Sequence, residues 1–198
     1  MKKILSAASI AVLAFSACTS TNRMSSVSAT EAKSMISGWP AKTQEVANAT
    51  MAKYGAPNAV TGNMLVWNNN GPWKKTIIHK EPVQHNFPMP HLDLLEQFVD
   101  YKVPADKYDQ MANYDGSVVI ARTVGEMSAR CDKEEANFLA LNLANDIATG
   151  KKTVEESRMY YARAIKEMMM GKMDPYIQKL HFTVGGNTNF TDQKAPGM

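Results

Sequence analysis

His79, His85, His91 and Asp93 fall within fifteen residues, and the last three are spaced HxxxxxHxD around Phe87-Pro88-Met89-Pro90. Imidazole nitrogen and carboxylate oxygen both ligate zinc or iron, and a proline-stiffened segment holds them at low cost in ordering entropy. His85, His91 and Asp93 are therefore the candidate ligands of a divalent metal; no other cofactor is expected. The spacing is not a zinc signature, whose ligands come in tighter repeated pairs. Loop histidines satisfied by backbone carbonyls are the competing reading, and His181 joins the set only by folding. Cys131 is a candidate catalytic nucleophile. It precedes a helix and has Arg130 and Lys133 beside it, which lower a thiol pKa, and His85 or His91 would serve as its base. Against this, cysteine is among the residues most often buried, and Asp132 pulls its pKa the other way. Trp67 and Trp73 flank Asn68-Asn69-Asn70-Gly71-Pro72 as a candidate binding surface for a glycan or another protein, with Trp39 as a third ring. Arg122, Glu126 and Arg130 offer a salt-bridged surface or an anion site. Met159, Met168 to Met170 and Met173 make the last helix methionine-rich, suited to copper or to adaptable packing. No G-x-S-x-G, H-E-x-x-H, Walker loop, dinucleotide fingerprint or CxxC is present.

The elements that must position these groups centre on Gly116 to Ile147. From Asp132 the apolar residues Ala136, Leu139, Ala140, Leu143 and Ile147 recur at helical spacing, with Phe138 and Leu141 widening the stripe, so this helix is surrounded by other elements. Asp132 with Glu135 predicts its capped start. Gly150 stops it, and Thr153-x-x-Glu156 opens a further helix to about Met170, with Val154, Tyr161, Ile165 and Met168 as its seam. Upstream, a short helix is predicted over 31–36 and a second from Pro40 to Tyr54, ended by Gly55 and Pro57. Met64 to Trp67 and Lys74 to His79 read as a hairpin with a wide loop, and Glu81 to Pro90 as an irregular stretch. Leu92 to Phe98 has helical spacing at Leu94, Leu95 and Phe98. Ala105 to Asn113 reads as a helical connection, Ser117 to Thr123 as a strand broken at Gly125, and 183–198 as a disordered tail. Helices mixed with paired short strands predict an α+β domain over 31–182, a small antiparallel sheet covered by the two long C-terminal helices.

The amino terminus has Lys2 and Lys3, the apolar run ILSAASIAVLAFSA, and then Cys18. Residues 1–17 have the layout of a secretory signal, too short for a permanent span. At Phe15-Ser16-Ala17-Cys18 the chain resembles a bacterial lipoprotein. That resemblance implies cleavage before Cys18, palmitate-type acylation there, and, with Thr19 rather than aspartate following, an outer-membrane anchor facing the periplasm; the alternative is plain secretion to the periplasm. Several acyl chains give a stable anchor. Residues 18–30, rich in Ser and Thr, form the lipidated flexible tether. The helix, G-x-P and hairpin of 40–79 resembles the corresponding piece of BamE-like outer-membrane assembly lipoproteins. The runs KYGAPNAVT, NNNGPWKK, HNFPMPHLD and GEMSARCDKEEANFLALNLANDI are similar to bacterial envelope proteins, a resemblance that supplies no catalytic role.

Of 22 basic residues, Lys2 and Lys3 leave with the signal, so 20 face 19 acidic ones. A near-neutral chain lacks the basic stripe that nucleic acid needs. The expectation is thus a lipid-anchored envelope protein acting as a binding or envelope-assembly module, meeting a partner protein or glycan through the Trp67–Trp73 hairpin. The alternative is a metal- or cysteine-dependent hydrolase or transferase using His85, His91 and Asp93, or Cys131.

Overall fold

A computed structural model describes residues 27–198, so the signal, Cys18 and most of the tether lie outside the described residues. The fold is α+β, with one six-stranded antiparallel sheet in the order β1-β2-β3-β4-β6-β5. Helix α1 (Ala29–Met35) begins two residues before the predicted start, because Ser28 and Glu31 close a capping box with each other's backbone. Helix α2 (Ala41–Tyr54) ends as predicted at Gly55, whose φ of 79° is open to glycine.

Strands β1 (Ala59–Val60), β2 (Met64–Asn70) and β3 (Trp73–His85) form an antiparallel meander. The hairpin is longer and its turn tighter than predicted: the strands run to Asn70 and from Trp73, with only Gly71-Pro72 between them. β3 also continues through the first half of the stretch predicted to be irregular, to His85. It absorbs the misfit with a bulge between Ile78 and Val83, where pairing with the next strand shifts from Ile78↔Leu95 to Val83↔Asp93.

That next strand, β4 (His91–Asp100), corrects the helical reading of Leu92 to Phe98. β4 lies inside the sheet between β3 and β6, and Asp93 through Gln97 are all buried. A strand buried on both faces loses period-two alternation and imitates a helix in sequence. After a 3-10 turn (Ala105–Lys107) and helix α3 (Tyr108–Tyr114), strands β5 (Val118–Ala121) and β6 (Glu126–Cys131) pair as a hairpin. β6 occupies residues expected to lead directly into the central helix.

Helix α4 (Glu134–Ala148) starts at Lys133 without a side-chain cap, so the predicted Asp132/Glu135 cap does not form. Helix α5 (Val154–Met169) has the predicted Thr153/Glu156 capping box. The two C-terminal helices pack on the sheet as expected. Leu139, Leu141, Leu143, Ile147, Tyr161 and Ala164 pack there with Val99, Met127 and Ala129 from the strands. A second cluster joins Val46, Ala47 and Met51 of α2 to Leu65, Trp67, Ile78 and Leu95. Paired and alternate residues share a face, and the register puts Leu65, Ile78, Leu95 and Cys131 together on the helix side. The opposite face carries His79, Glu96, Ser128 and Arg130, linked by hydrogen bonds. Residues 183–198, predicted to lack fixed structure, contain no helix or strand but cross the β5–β6 turn, where the Phe190 N–H donates to the Thr123 carbonyl at 3.3 Å and Asp192 pairs with Arg122.

Candidate metal centre

His91 and Asp93 are alternate residues of β4, so their side chains leave the same face, the one covered by helices. His85 is the direct cross-strand partner of His91 and joins them on that face. The bulge in β3 sets this register. The three side chains bring one ligand atom each to within 4.8 Å of the others. The connecting loop is clamped on α5: Phe87 packs against Tyr161 with ring centroids 5.2 Å apart, and the Arg158 guanidinium lies 3.8 Å over the Phe87 ring.

Asp93 is 4% exposed and stands between the two imidazoles. Its Oδ1 is 3.0 Å from His91 Nε2, and its Oδ2 is 3.3 Å from His85 Nδ1 and accepts from the Ser117 hydroxyl. Oδ1 is buried, and the His91 imidazole is the group that faces it. His91 Nδ1 is 2.8 Å from the Met89 carbonyl, and His85 Nδ1 is 3.2 Å from the Ser117 hydroxyl; His85 Nε2 faces Asp115 Oδ1 at 3.7 Å, a carboxylate that accepts the Ser117 N–H at 2.9 Å. A backbone carbonyl or carboxylate behind each imidazole is the outer-shell arrangement that orients metal-ligating histidines. Asp93 foremost, with Cys131 next, pushes the His91 pKa up to about 11 against the opposing effect of burial. In the absence of a metal a proton holds the place between imidazole and carboxylate. Burial pushes the Asp115 carboxyl up as well.

The structure thus gathers His85, His91 and Asp93 as the sequence spacing suggested, and it separates the other candidates. His79 faces the opposite side of the sheet, 2.8 Å from Glu96, and His181 bonds the Pro175 carbonyl. Cys131 is the last residue of β6, 6% exposed, and burial foremost pushes its thiol up, reversing the lowered pKa expected at a helix start. It lies beside His91, whose hydrogen bond draws the thiol pKa down against that burial without overcoming it. Trp67 and Trp73 are 2% and 1% exposed, which corrects the expected contact surface. Trp67 packs beneath α2 with its Nε1 on the Gly55 carbonyl, and Trp73 stacks on Phe138. Arg122, Glu126 and Arg130 do not cluster; they pair separately with Asp192, Lys74 and Glu96.

Asp115 and Ser117 were not singled out in the sequence, where a turn Asp-Gly-Ser is ordinary and only the fold carries it to His85. Glu134 was missed too. Its buried carboxylate accepts from Lys53, from Tyr54 OH at 2.5 Å, from Trp73 Nε1 at 2.5 Å and from Gln97 Nε2 at 3.2 Å. A cavity of about 250 Å³ adjoins it under α2, but those four donors already saturate the carboxylate, which makes it a structural anchor.

No protein-family model, curated protein or solved structure matches the chain, so the resemblances drawn above rest on sequence runs alone.

Proposed function

We propose that this protein is a lipid-anchored, periplasm-facing envelope protein built around a divalent-metal site, with metal-assisted hydrolysis as its chemistry. The observation that carries the metal reading is the convergence itself: His85, His91 and the buried Asp93 each bring one ligand atom to within 4.8 Å of the others. Two imidazoles and one carboxylate suit zinc or iron, and three protein ligands mark the catalytic rather than the structural class of zinc site. When bound, the ion supplies Lewis acidity and lowers the pKa of a coordinated water to about 7. Ser117 and Asp115 hold the ligands in place. With Trp67 and Trp73 in the core, the assembly-module reading has lost the surface that suggested it.

The test is elemental analysis of the full-length protein purified without chelator. One equivalent of zinc or iron, lost in His91→Ala and in Asp93→Asn, is expected, together with metal-dependent cleavage of an activated ester by the unaltered protein. A chain without stoichiometric metal, or one that keeps it in His91→Ala, overturns the reading. The anchor is tested separately: Cys18→Ser should leave the precursor unprocessed and move the protein out of the detergent phase, and unchanged partitioning would remove the envelope assignment.

A further inference from the structure

Beside the His85/His91/Asp93 centre lies a separate cavity of about 230 Å³ whose wall contains Met89, Cys131, Met168 and Met169, with His91 and Tyr161 between them. Three elements deliver the sulfurs: the loop between β3 and β4, the end of β6, and the last turn of α5. Methionine is versatile packing material, and Met168 is half-buried against the core as that role requires. The others are not. Met89 is 43% exposed and Met169 66%, and Met159, Met170 and Met173 on and after α5 are more than half exposed. Flexible thioethers standing at a cavity mouth contribute little to a core. At the other end of the same cavity Cys131 is buried. The cavity therefore grades from exposed thioethers at its rim to a thiol at its base.

We propose that this cavity is a soft-metal site for a single Cu(I) ion, with Cys131 and Met168 as inner ligands and Met89 and Met169 closing over it. Thiolate and thioether sulfur select Cu(I) over the hard divalent ions that carboxylate and imidazole favour. On binding, Cu(I) displaces the thiol proton of Cys131 to solvent, and the ion is then held by sulfur. Pro88 and Pro90 flank Met89 and restrict its loop, and the Nδ1 contact of His91 with the Met89 carbonyl, 2.8 Å, fixes where the loop crosses the mouth. The two sites adjoin and share His91 as a wall residue, the first offering nitrogen and oxygen ligands and the second sulfur.

The test is a Cu(I) titration of the full-length protein under ascorbate against bicinchoninate as competitor, with zinc content measured on the same samples. One equivalent of Cu(I) is expected, with sulfur-to-copper charge-transfer absorption in the ultraviolet. Met168→Leu/Met169→Leu keeps side-chain volume and so the fold, and circular dichroism checks it. It should weaken Cu(I) by more than about tenfold, the least that removing even an outer-shell partner costs, and should leave zinc bound. Cys131→Ser should abolish the charge-transfer band. His85→Gln should release zinc and keep Cu(I). Absence of Cu(I) binding in the unaltered chain, unchanged affinity in the double methionine variant, or loss of Cu(I) in His85→Gln overturns the proposal. Zinc retention reports on the other centre independently.

Discussion

Glu134 sits in the first turn of α4 and receives donors from α2, β3 and β4 at once. Burial alone would raise its pKa, yet the hydrogen bonds of Lys53, Tyr54 and Trp73 together hold it below the ordinary carboxylate value. Removing the acceptor leaves the Trp73 indole N–H buried without a partner and the Gln97 amide with only its Thr76 and Asn137 bonds. Glu134→Ala is therefore expected to lower unfolding free energy in urea by about 3 kcal/mol, and Glu134→Gln, which keeps one oxygen, by distinctly less. No loss in Glu134→Gln beside a full loss in Glu134→Ala would show that the side chain acts by packing alone. Glu96 on the opposite face makes a pH-dependent contribution. Burial pushes its carboxyl up, but His79, Arg130 and Ser128 outweigh that and hold it at about 2, below the ordinary 4.5. A carboxylate depressed in the folded state stabilises above its unfolded pKa, and that contribution disappears as pH falls toward the folded value. Stability should thus decline between pH 4.5 and 2 by up to about 3 kcal/mol, and Glu96→Gln should flatten that part of the profile. An unchanged slope would sink the assignment.

Among the elements, the β5–β6 turn carries a constraint that reaches the far end of the chain. Gly125 has φ of 73°, and a Cβ built there would lie 2.1 Å from the Thr188 carbonyl oxygen. Gly125→Ala combines a left-handed cost of about 1 to 2 kcal/mol with a collision against backbone that no rotamer relieves. The tail should lift off: the Phe190 amide, bonded to the Thr123 carbonyl, is expected to lose its hydrogen-exchange protection, while α4 amides keep theirs. Persistent protection at Phe190 would refute the contact. The same elements explain what could be read from sequence. α2 and α5 end and begin on local signals, Gly55 with Pro57 and Thr153 with Glu156, and both were legible. β4 was not, because its burial is set by neighbours on either side. β6 is legible in principle, since Met127, Ala129 and Cys131 alternate with Ser128 and Arg130, but a glycine turn such as Gly125 marks the end of a strand and the middle of a hairpin equally well in sequence.

At the scale of the whole molecule, the ligand types of the metal centre were visible in the spacing and their convergence was not. An HxD pair points one way only if its residues lie on a strand, and His85 meets His91 only if β3 carries its bulge; both facts come from the assembled sheet. A metal would consequently cross-link two strands and, through Ser117 and Asp115, the approach to β5. An ion that binds the folded chain and not the unfolded one adds RT ln(1 + [L]/Kd), about 2.7 kcal/mol at a hundredfold excess over Kd. For a domain of this size that is about 5 to 10 °C in Tm. Calorimetry of the full-length protein should show this rise on passing from EDTA to excess zinc, and His85→Gln should abolish the increment. Midpoints that coincide with and without zinc would mean that the three side chains meet without holding an ion, and the pair of His91 with Asp93, 3.0 Å apart, would then be a structural ion pair of the sheet.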